Sequence, residues 1–362
     1  MNNFVRTCLL TIATWACIVN FTFAQVAPEV CKGTERECAL KAGQNHAVKK
    51  LAFWQPMLKL PLSQRIGPAP PELIDLLRLD TIAQAIPSKP RAPTVTPEFV
   101  SEVVSAFDEL PQAVKNLLTT KLLGIYFIED IGGTGFTDMV FDANGTPMAG
   151  FVVLDPSVLM KQKANEWASW KENTPFMSGP EFRLTAEIET ASQNNRKNAI
   201  QYILLHELAH IISIGGTIHP RWDTAPKDLP SLSSYSYFQL SWTRSKDGNN
   251  YESLFDKDFP QRRYVVYYFG ARIAAGQMLR VYEALERTNF VTLYGATRPG
   301  DDFAEAFVTY VHTILMKRPF AVRIYQGEKE VKVFEACWSQ PRCADKRKLL
   351  EKLLGVGAPA AS

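Results

Sequence analysis

Two histidines and a glutamate stand in the middle of an otherwise apolar stretch, residues 203–216 (ILLHELAHIISIGG). His206 and His210 are four residues apart, so on a helix they lie on one face, one turn apart. Two imidazoles so placed can hold one zinc ion, and Glu207 emerges beside that ion, where it can act as a general base. The H-E-x-x-H spacing therefore predicts a zinc site (one Zn2+ per chain) with hydrolytic chemistry.

The residues around these three predict a helix that is buried on nearly every side. Its apolar residues form two adjoining faces, Ile200, Leu204, Leu208 and Ile211 on one and Leu205, Ala209 and Ile212 on the other. Unpaired imidazoles and a carboxylate would be costly in such a helix, and a bound metal removes that cost. The alternative is a helix whose core histidines are satisfied by hydrogen bonds.

A catalytic zinc takes three protein ligands, so a third must come from elsewhere in the chain. The extended pattern H-E-x-x-H-x-x-G-x-x-H is excluded, because Ser213 and Gly216 stand where it needs glycine and histidine. The acidic candidates are Asp301, Glu305 and, less favoured, Asp302. Asp301 and Glu305 share one helix face, so either could be the ligand. The same segment also has the features of an ordinary helix start, with acids in its first turn.

The two segments together resemble a known group, the catalytic domain of anthrax lethal factor and the bacterial Pro-Pro endopeptidases. That group has H-E-x-G-H, then a tyrosine downstream, and a glutamate seven residues later that opens a segment like E-[FY]-F-A-E-A-F. This chain has HELAH at 206–210, then Tyr294, then Asp301 seven residues later, opening DDFAEAF. The match covers about 20 residues. Ala209 replaces the group's glycine and Asp301 its glutamate.

The resemblance implies a zincin-like fold and a role for each matched residue. His206 and His210 would be zinc ligands, Glu207 the base and Asp301 the third ligand. Glu305, one turn after Asp301, would orient a ligating histidine. Tyr294 would stabilise the oxyanion.

The elements expected around this site are those of an α+β fold, with a small mixed sheet, an edge strand over the H-E-x-x-H helix and a helical C-terminal part. Strands are predicted at 122–131 and 182–188, and Asn144-Gly145 predicts a hairpin turn. The active-site helix should begin after Asn194 or Asn195 and end at Gly215. Further helices are predicted at 72–79, 81–85, 98–107, 112–120, 263–287 (mostly helical), 301–317 and 344–355.

The chain divides into segments of distinct composition. Residues 1–24 read as a signal peptide, so an exported protein, periplasmic or secreted, is expected. A proline-rich segment, 25–98, reads as a pro-segment, a wrapping arm or a small accessory domain. The catalytic domain should span 99–354, with an insertion at 217–262, and 355–362 should be a flexible tail. No later run of about 18 apolar residues follows the signal, so no stable membrane insertion is expected.

The charge of the chain limits its possible partners, and its cysteines indicate the compartment in which it folds. The formal net charge of +3 is too small to argue for a nucleic-acid or membrane partner, and the chain lacks a basic run, so no nucleic-acid partner is expected. Cys8 and Cys17 lie in the signal, which leaves an even number of cysteines, as expected for an oxidising compartment. Two local disulfides, 31–38 and 337–343, are the simplest pairing, and a pairing between the two ends is equally allowed.

These patterns together predict an exported zinc metallopeptidase, more an endopeptidase than an exopeptidase, with a protein or peptide substrate. Strand 182–188 would form the rim of the cleft, with Arg183, Thr185 and Glu187 as substrate contacts. Two alternatives remain. One is a zinc hydrolase of another amide, such as cell-wall material, and the other is a non-catalytic binding protein.

Overall fold

The structure, a computed structural model, describes residues 31–159, 161–229 and 231–356. The predicted signal peptide, 1–24, lies outside the described residues, as does most of the predicted tail. Within them the chain forms a mixture of helices and small sheets, in agreement with the predicted α+β class.

The helices account for most of the regular structure of the described residues. They are α1 Glu35–Asn45, α2 Leu51–Leu58, α3 Pro71–Gln84, α4 Pro97–Asp108, α5 Gln112–Leu118, α6 Pro156–Leu159, α7 Ala164–Asn173, α8 Arg196–Ser213, α9 Met278–Leu285, α10 Pro299–Tyr310 and α11 Ala344–Leu354. The strands are β1 Ile66–Pro68, β2 Leu122–Phe127, β3 Gly135–Phe141, β4 Pro147–Leu154, β5 Phe182–Glu187, β6 Trp242–Arg244, β7 Tyr251–Ser253, β8 Ala321–Gln326 and β9 Lys329–Glu335.

A four-stranded mixed sheet with the order β1-β2-β4-β3 lies at the centre of the fold. β1, β2 and β4 run parallel, and β3 pairs antiparallel with β4 at one edge. The hairpin between β3 and β4 turns at Asn144-Gly145, as predicted. Gly145 has φ +77°, a left-handed conformation that glycine adopts without steric cost.

Both faces of this sheet are covered. One face packs on α8 and α4, and the other is covered by residues 31–98, which we call the N-terminal arm. Trp54 and Leu76 of the arm are buried against Tyr126 and Phe151 of the sheet, and the arm also supplies β1. Strands buried on both faces explain why β2 is apolar throughout. The described part of the segment 25–98 therefore packs on the sheet, and the three interpretations of this segment stay predictions.

The helix that carries the H-E-x-x-H pattern, α8, is buried nearly all round, as its two apolar faces predict. The Asn195 side chain caps it by accepting a hydrogen bond from the amide of Asn198 at 2.9 Å. The helix ends at Ser213, two residues before the predicted stop. Gly215 then turns the chain at φ +68°, where a Cβ atom would lie 3.0 Å from the carbonyl oxygen of Pro147.

Several sequence-based assignments differ from the structure, for example the two predicted helices 72–79 and 81–85, which form the single helix α3. The predicted strand 182–188 forms as β5, but at the edge of a second, antiparallel sheet of order β5-β8-β9. Strands β8 and β9 break the helical C-terminal part that was expected. The segment 263–287 is mostly irregular and contains only α9 and short 3-10 turns. Its start, YVVYYFG, is rich in β-branched and aromatic residues, which favour extended backbone over helix.

The four cysteines that the structure describes form two local pairs, in agreement with the simplest pairing. The Cα atoms of Cys31 and Cys38 are 5.7 Å apart, and those of Cys337 and Cys343 are 5.8 Å apart. Two disulfides indicate an oxidising environment outside the cytoplasm. In the described part of the chain, no helix has the length and apolar character needed to cross a membrane.

Candidate metal centre and its cleft

Three side chains converge on one point where α8 crosses α10. His206 Nε2 and His210 Nε2 are 3.3 Å apart. Asp301 Oδ1, from the first turn of α10, lies 3.9 Å from the first nitrogen and 3.7 Å from the second. Two imidazole nitrogens and one carboxylate oxygen thus form a cluster that could hold a metal ion.

The spacing and chemistry of this cluster fit a divalent metal. Ligand atoms at about 2.0–2.1 Å from a tetrahedral zinc lie roughly 3.3 Å apart, close to the separations observed here. Burial, with the neighbouring His206, holds the pKa of His210 well below its usual range, so its ring stays neutral, as a ligand must. Burial also raises the pKa of Asp301 and of Glu207, and a bound cation would favour their ionised forms.

Helix α10 directs its three acids to three different surroundings. Asp301 faces the two histidines, as above. Glu305 lies behind them, with its Oε1 atom 2.9 Å from His206 Nδ1. Asp302 points away from the site and accepts hydrogen bonds from Lys346 Nζ at 2.5 Å and Trp242 Nε1 at 3.0 Å. The geometry therefore assigns Asp301, and not Glu305, to the third position of the donor cluster.

A buried lysine holds Glu305 in place. Lys171 Nζ donates to Glu305 Oε1 at 2.8 Å, and the hydroxyl of Thr292 donates to Oε2 at 2.7 Å. Burial alone would raise the pKa of Glu305, but Lys171 and His206 together lower it to about 2. Glu305 thus stays ionised at the back of the His206 ring, where a carboxylate fixes the orientation of a ligating histidine.

The general-base candidate, Glu207, is fixed by the edge strand β3. The hydroxyl of Thr137 lies 2.8 Å from Glu207 Oε2 and 2.9 Å from the carbonyl oxygen of Glu207. Burial raises the pKa of Glu207, which favours the uptake of a proton by this carboxylate. Glu207 lies beside the donor cluster and faces the same cleft.

Tyr294 also reaches this region, packed against the first histidine. Its ring stacks on His206 with centroids 5.5 Å apart and an angle of 22° between the planes. Burial and the charge of Asp301 hold the pKa of Tyr294 well above its usual range. Its hydroxyl therefore keeps its proton and can donate a hydrogen bond into the cleft.

The donor cluster lies in a cleft of about 850 Å³. One wall is β3, with Gly135, Phe136 and Thr137, and another comes from the predicted insertion 217–262. Trp222 of that insertion lies 5.8 Å from the His210 ring, edge to face. A smaller inner cavity of about 60 Å³ adjoins Glu207 and His206.

Strand 182–188 was expected to form the rim of the cleft, but it lies elsewhere in the fold. Arg183, Thr185 and Glu187 line neither the cleft nor the inner cavity. Arg183 stacks instead on Tyr325 of β8, and Glu187 pairs with Arg323. The edge strand at the cleft is β3. Both strands lie at sheet edges, and only the non-local pairing of strands decides which edge faces α8.

Sequence reasoning missed several residues of the site. Thr137, Lys171, Trp222 and Tyr268 all line the cleft or the inner cavity. Lys171 resembles any lysine of a helix that faces solvent, yet it is 4% exposed. No local signal marks these residues, because their neighbours are far away in the sequence. His312 is also buried, with its Nε2 atom 2.7 Å from the carbonyl oxygen of Ile188.

Comparisons of the chain with protein-family models, with characterised proteins and with solved structures gave no match.

Proposed function

We propose that the protein is an exported, zinc-dependent metallopeptidase with a zincin-like fold, and more an endopeptidase than an exopeptidase. The observation that carries this proposal is the donor cluster of His206, His210 and Asp301 with Glu207 beside it, open to one cleft. A purely structural metal site has no need of an adjacent base. The partial resemblance to the lethal-factor and Pro-Pro endopeptidase group supports the same reaction class.

Different residues of the cleft can carry out the separate steps of peptide hydrolysis. Zinc, when bound by the three donors, would lower the pKa of a water molecule and polarise a carbonyl group. Glu207, oriented by Thr137, takes a proton from the attacking water and passes it to the leaving amine. Tyr294 donates a hydrogen bond to the oxygen that gains negative charge.

The cleft offers a backbone for substrate recognition. Gly135–Phe141 is an edge strand, and its first three residues line the cleft. An extended peptide can add to such an edge through main-chain hydrogen bonds. A cleft of about 850 Å³ holds several residues of a chain, which favours cleavage within a peptide.

Metal analysis is the first test. Elemental analysis of the purified protein should find one zinc per chain, retained by Glu207→Gln and lost by Asp301→Ala. Two histidines and a carboxylate also suit iron, so iron is measured in the same samples. Protein that takes up no metal, even after incubation with zinc, would rule out the proposal.

Hydrolysis is then tested with a library of fluorescence-quenched peptides. The wild type should cleave some of them, and Glu207→Gln should lower turnover by roughly 100- to 10,000-fold while it keeps its zinc. Retained hydrolysis in this variant would contradict the base assignment. A zinc protein that cleaves no peptide but releases amines from cell-wall fragments would favour the alternative amide hydrolase. Zinc binding with neither activity would favour a binding protein.

A further inference from the structure

A strained tyrosine lies beside the candidate metal centre, on a loop that the proposed mechanism does not use. The loop, residues 264–270, begins at the last residue of the 3-10 turn Pro260–Tyr264 and leads to the segment before α9. Tyr268 has φ +68°, in the left-handed region that an aromatic residue rarely adopts. Such strain persists where surrounding contacts enforce it, and it is concentrated at functional sites.

The contacts that enforce this conformation lie on both sides of Tyr268. The hydroxyl of Tyr267 donates to Glu172 Oε2 at 2.8 Å, deep in the core. Farther along, the amide of Ile273 donates to the carbonyl oxygen of Pro175 at 3.2 Å, and the amide of Met177 returns a hydrogen bond to Ile273 at 2.7 Å. The loop is therefore attached to the chain that follows α7.

Tyr267 and Tyr268 both pack on Tyr294, but the hydroxyl of Tyr267 is already bound to Glu172, whereas the ring of Tyr268 faces a cavity at the site. It packs 6.1 Å from Tyr294 and 5.6 Å from Trp170, measured between ring centroids. It lines the inner cavity together with His206 and Glu207. The next residue, Phe269, is 82% exposed, so the loop as a whole is not buried for the sake of the core.

We propose that Tyr268 is a second tyrosine of the reaction centre, whose hydroxyl donates a hydrogen bond to the scissile carbonyl oxygen as negative charge develops there. This inference rests on the proposed peptidase function. The inner cavity places Tyr268 in one small space with Glu207, His206 and Tyr294, which is where a donor to the developing charge must lie. Tyr268 is 38% exposed, and its partial burial together with the charges of Glu305, Glu172, Glu207 and Asp301 raises the pKa of its hydroxyl, which therefore remains a donor.

The test compares wild type, Tyr268→Phe and a matched control, Tyr264→Phe, on the peptide that the library identifies as best cleaved. Tyr264 is on the same loop, is 60% exposed and lines neither the cleft nor the inner cavity. Tyr268→Phe should lower kcat by roughly 10- to 1,000-fold and leave KM within about twofold, since the hydrogen bond forms in the transition state. Tyr264→Phe should match the wild type.

A second variant separates the function from the fold. Tyr268→Gly relieves the backbone strain, so its thermal midpoint should stay equal to that of wild type or rise, while its kcat falls at least as far as that of Tyr268→Phe. A fall in kcat without a loss of stability supports the proposal.

The outcomes that overturn the inference are distinct from failure of the proposed function. Unchanged kcat in Tyr268→Phe or in Tyr268→Gly would remove the role of Tyr268 and leave the peptidase standing. A rise in KM alone would also remove it, because the contact would then bind substrate and transition state equally. A wild type that cleaves no peptide would remove both proposals.

Discussion

At the scale of single residues, one or two neighbouring side chains fix the surroundings of each ionisable group of the site. His206 shows this most clearly, because its two ring nitrogens face different partners. Nε2 faces His210 and Asp301, and Nδ1 faces Glu305, which is fixed in turn by Lys171. Two further buried charged residues, Glu305 and Lys171, therefore support the donors of the proposed metal site from behind.

A pair of amide substitutions tests the assignment of the two acids. Asp301→Asn should abolish tight zinc binding, because it removes a proposed ligand. Glu305→Gln should weaken zinc binding by roughly 10- to 100-fold, since it disturbs only the orientation of His206. Competition with a chromogenic chelator measures both affinities. Equal loss in both variants, or a larger loss in Glu305→Gln, would reverse the assignment.

At the scale of elements, α10 shows how one helix serves both the site and the fold. Asp301 and Glu305 are one turn apart and face α8, whereas Asp302 lies on another side of the helix. Asp302 meets Lys346 of α11 in a fully buried ion pair, which ties the C-terminal helix to the turn that carries Asp301. The position of the proposed third ligand thus depends on an element more than forty residues away.

A second contact between elements should make stability depend on pH. Asp80 of α3 lies near Lys49 and near Asp138 of β3. Burial, opposed by Lys49 and reinforced by Asp138, raises the pKa of Asp80 to about 6. The folded protein then binds this proton more tightly than the unfolded chain does. The stability gained from Asp80 is therefore fully present below pH ~4 and is lost as the pH rises through about 6.

The variant Asp80→Asn mimics the protonated acid and tests this expectation. At pH 8 its thermal midpoint should exceed that of wild type by on the order of a few degrees, and at pH 4 the two should coincide. Asp75→Asn is the control, because Asp75 is on the same helix but largely exposed. A stabilising effect of Asp80→Asn that is equal at both pH values would contradict the titration.

At the scale of the whole molecule, the N-terminal arm is part of the fold that carries the site. It supplies β1 and covers the face of the sheet opposite α8. None of its residues lines the cleft, which begins at Gly135 along the chain. These positions argue for a structural role, so removal of the arm should unfold the protein and should not activate it.

Two leucines of the arm provide a matched test of this role. Leu76 is fully buried against the sheet, whereas Leu40 is 53% exposed. Leu76→Ala should lower the free energy of unfolding by about 2–5 kcal/mol, and Leu40→Ala by less than about 0.5 kcal/mol. Denaturant titration measures both. Similar small losses in the two variants would mean that the arm is attached only loosely.

Local patterns in the sequence determined the parts of the protein that depend on neighbours along the chain. The spacing of His206, Glu207 and His210, in a segment with two adjoining apolar faces, predicted a buried helix with both imidazoles on one side. The structure contains this helix. The Asn144-Gly145 hairpin and the two short disulfide loops were predictable for the same reason.

Only the tertiary structure decided what depends on how distant elements cross. Asp301 and Glu305 share a helix face, so the angle between α8 and α10 alone selects which of them meets both histidines. β3 and β5 are both edge strands, and only the sheet order places β3 beside Glu207. No local sequence pattern singles out Lys171 or Tyr268, because the residues that they contact are remote in sequence and close in space.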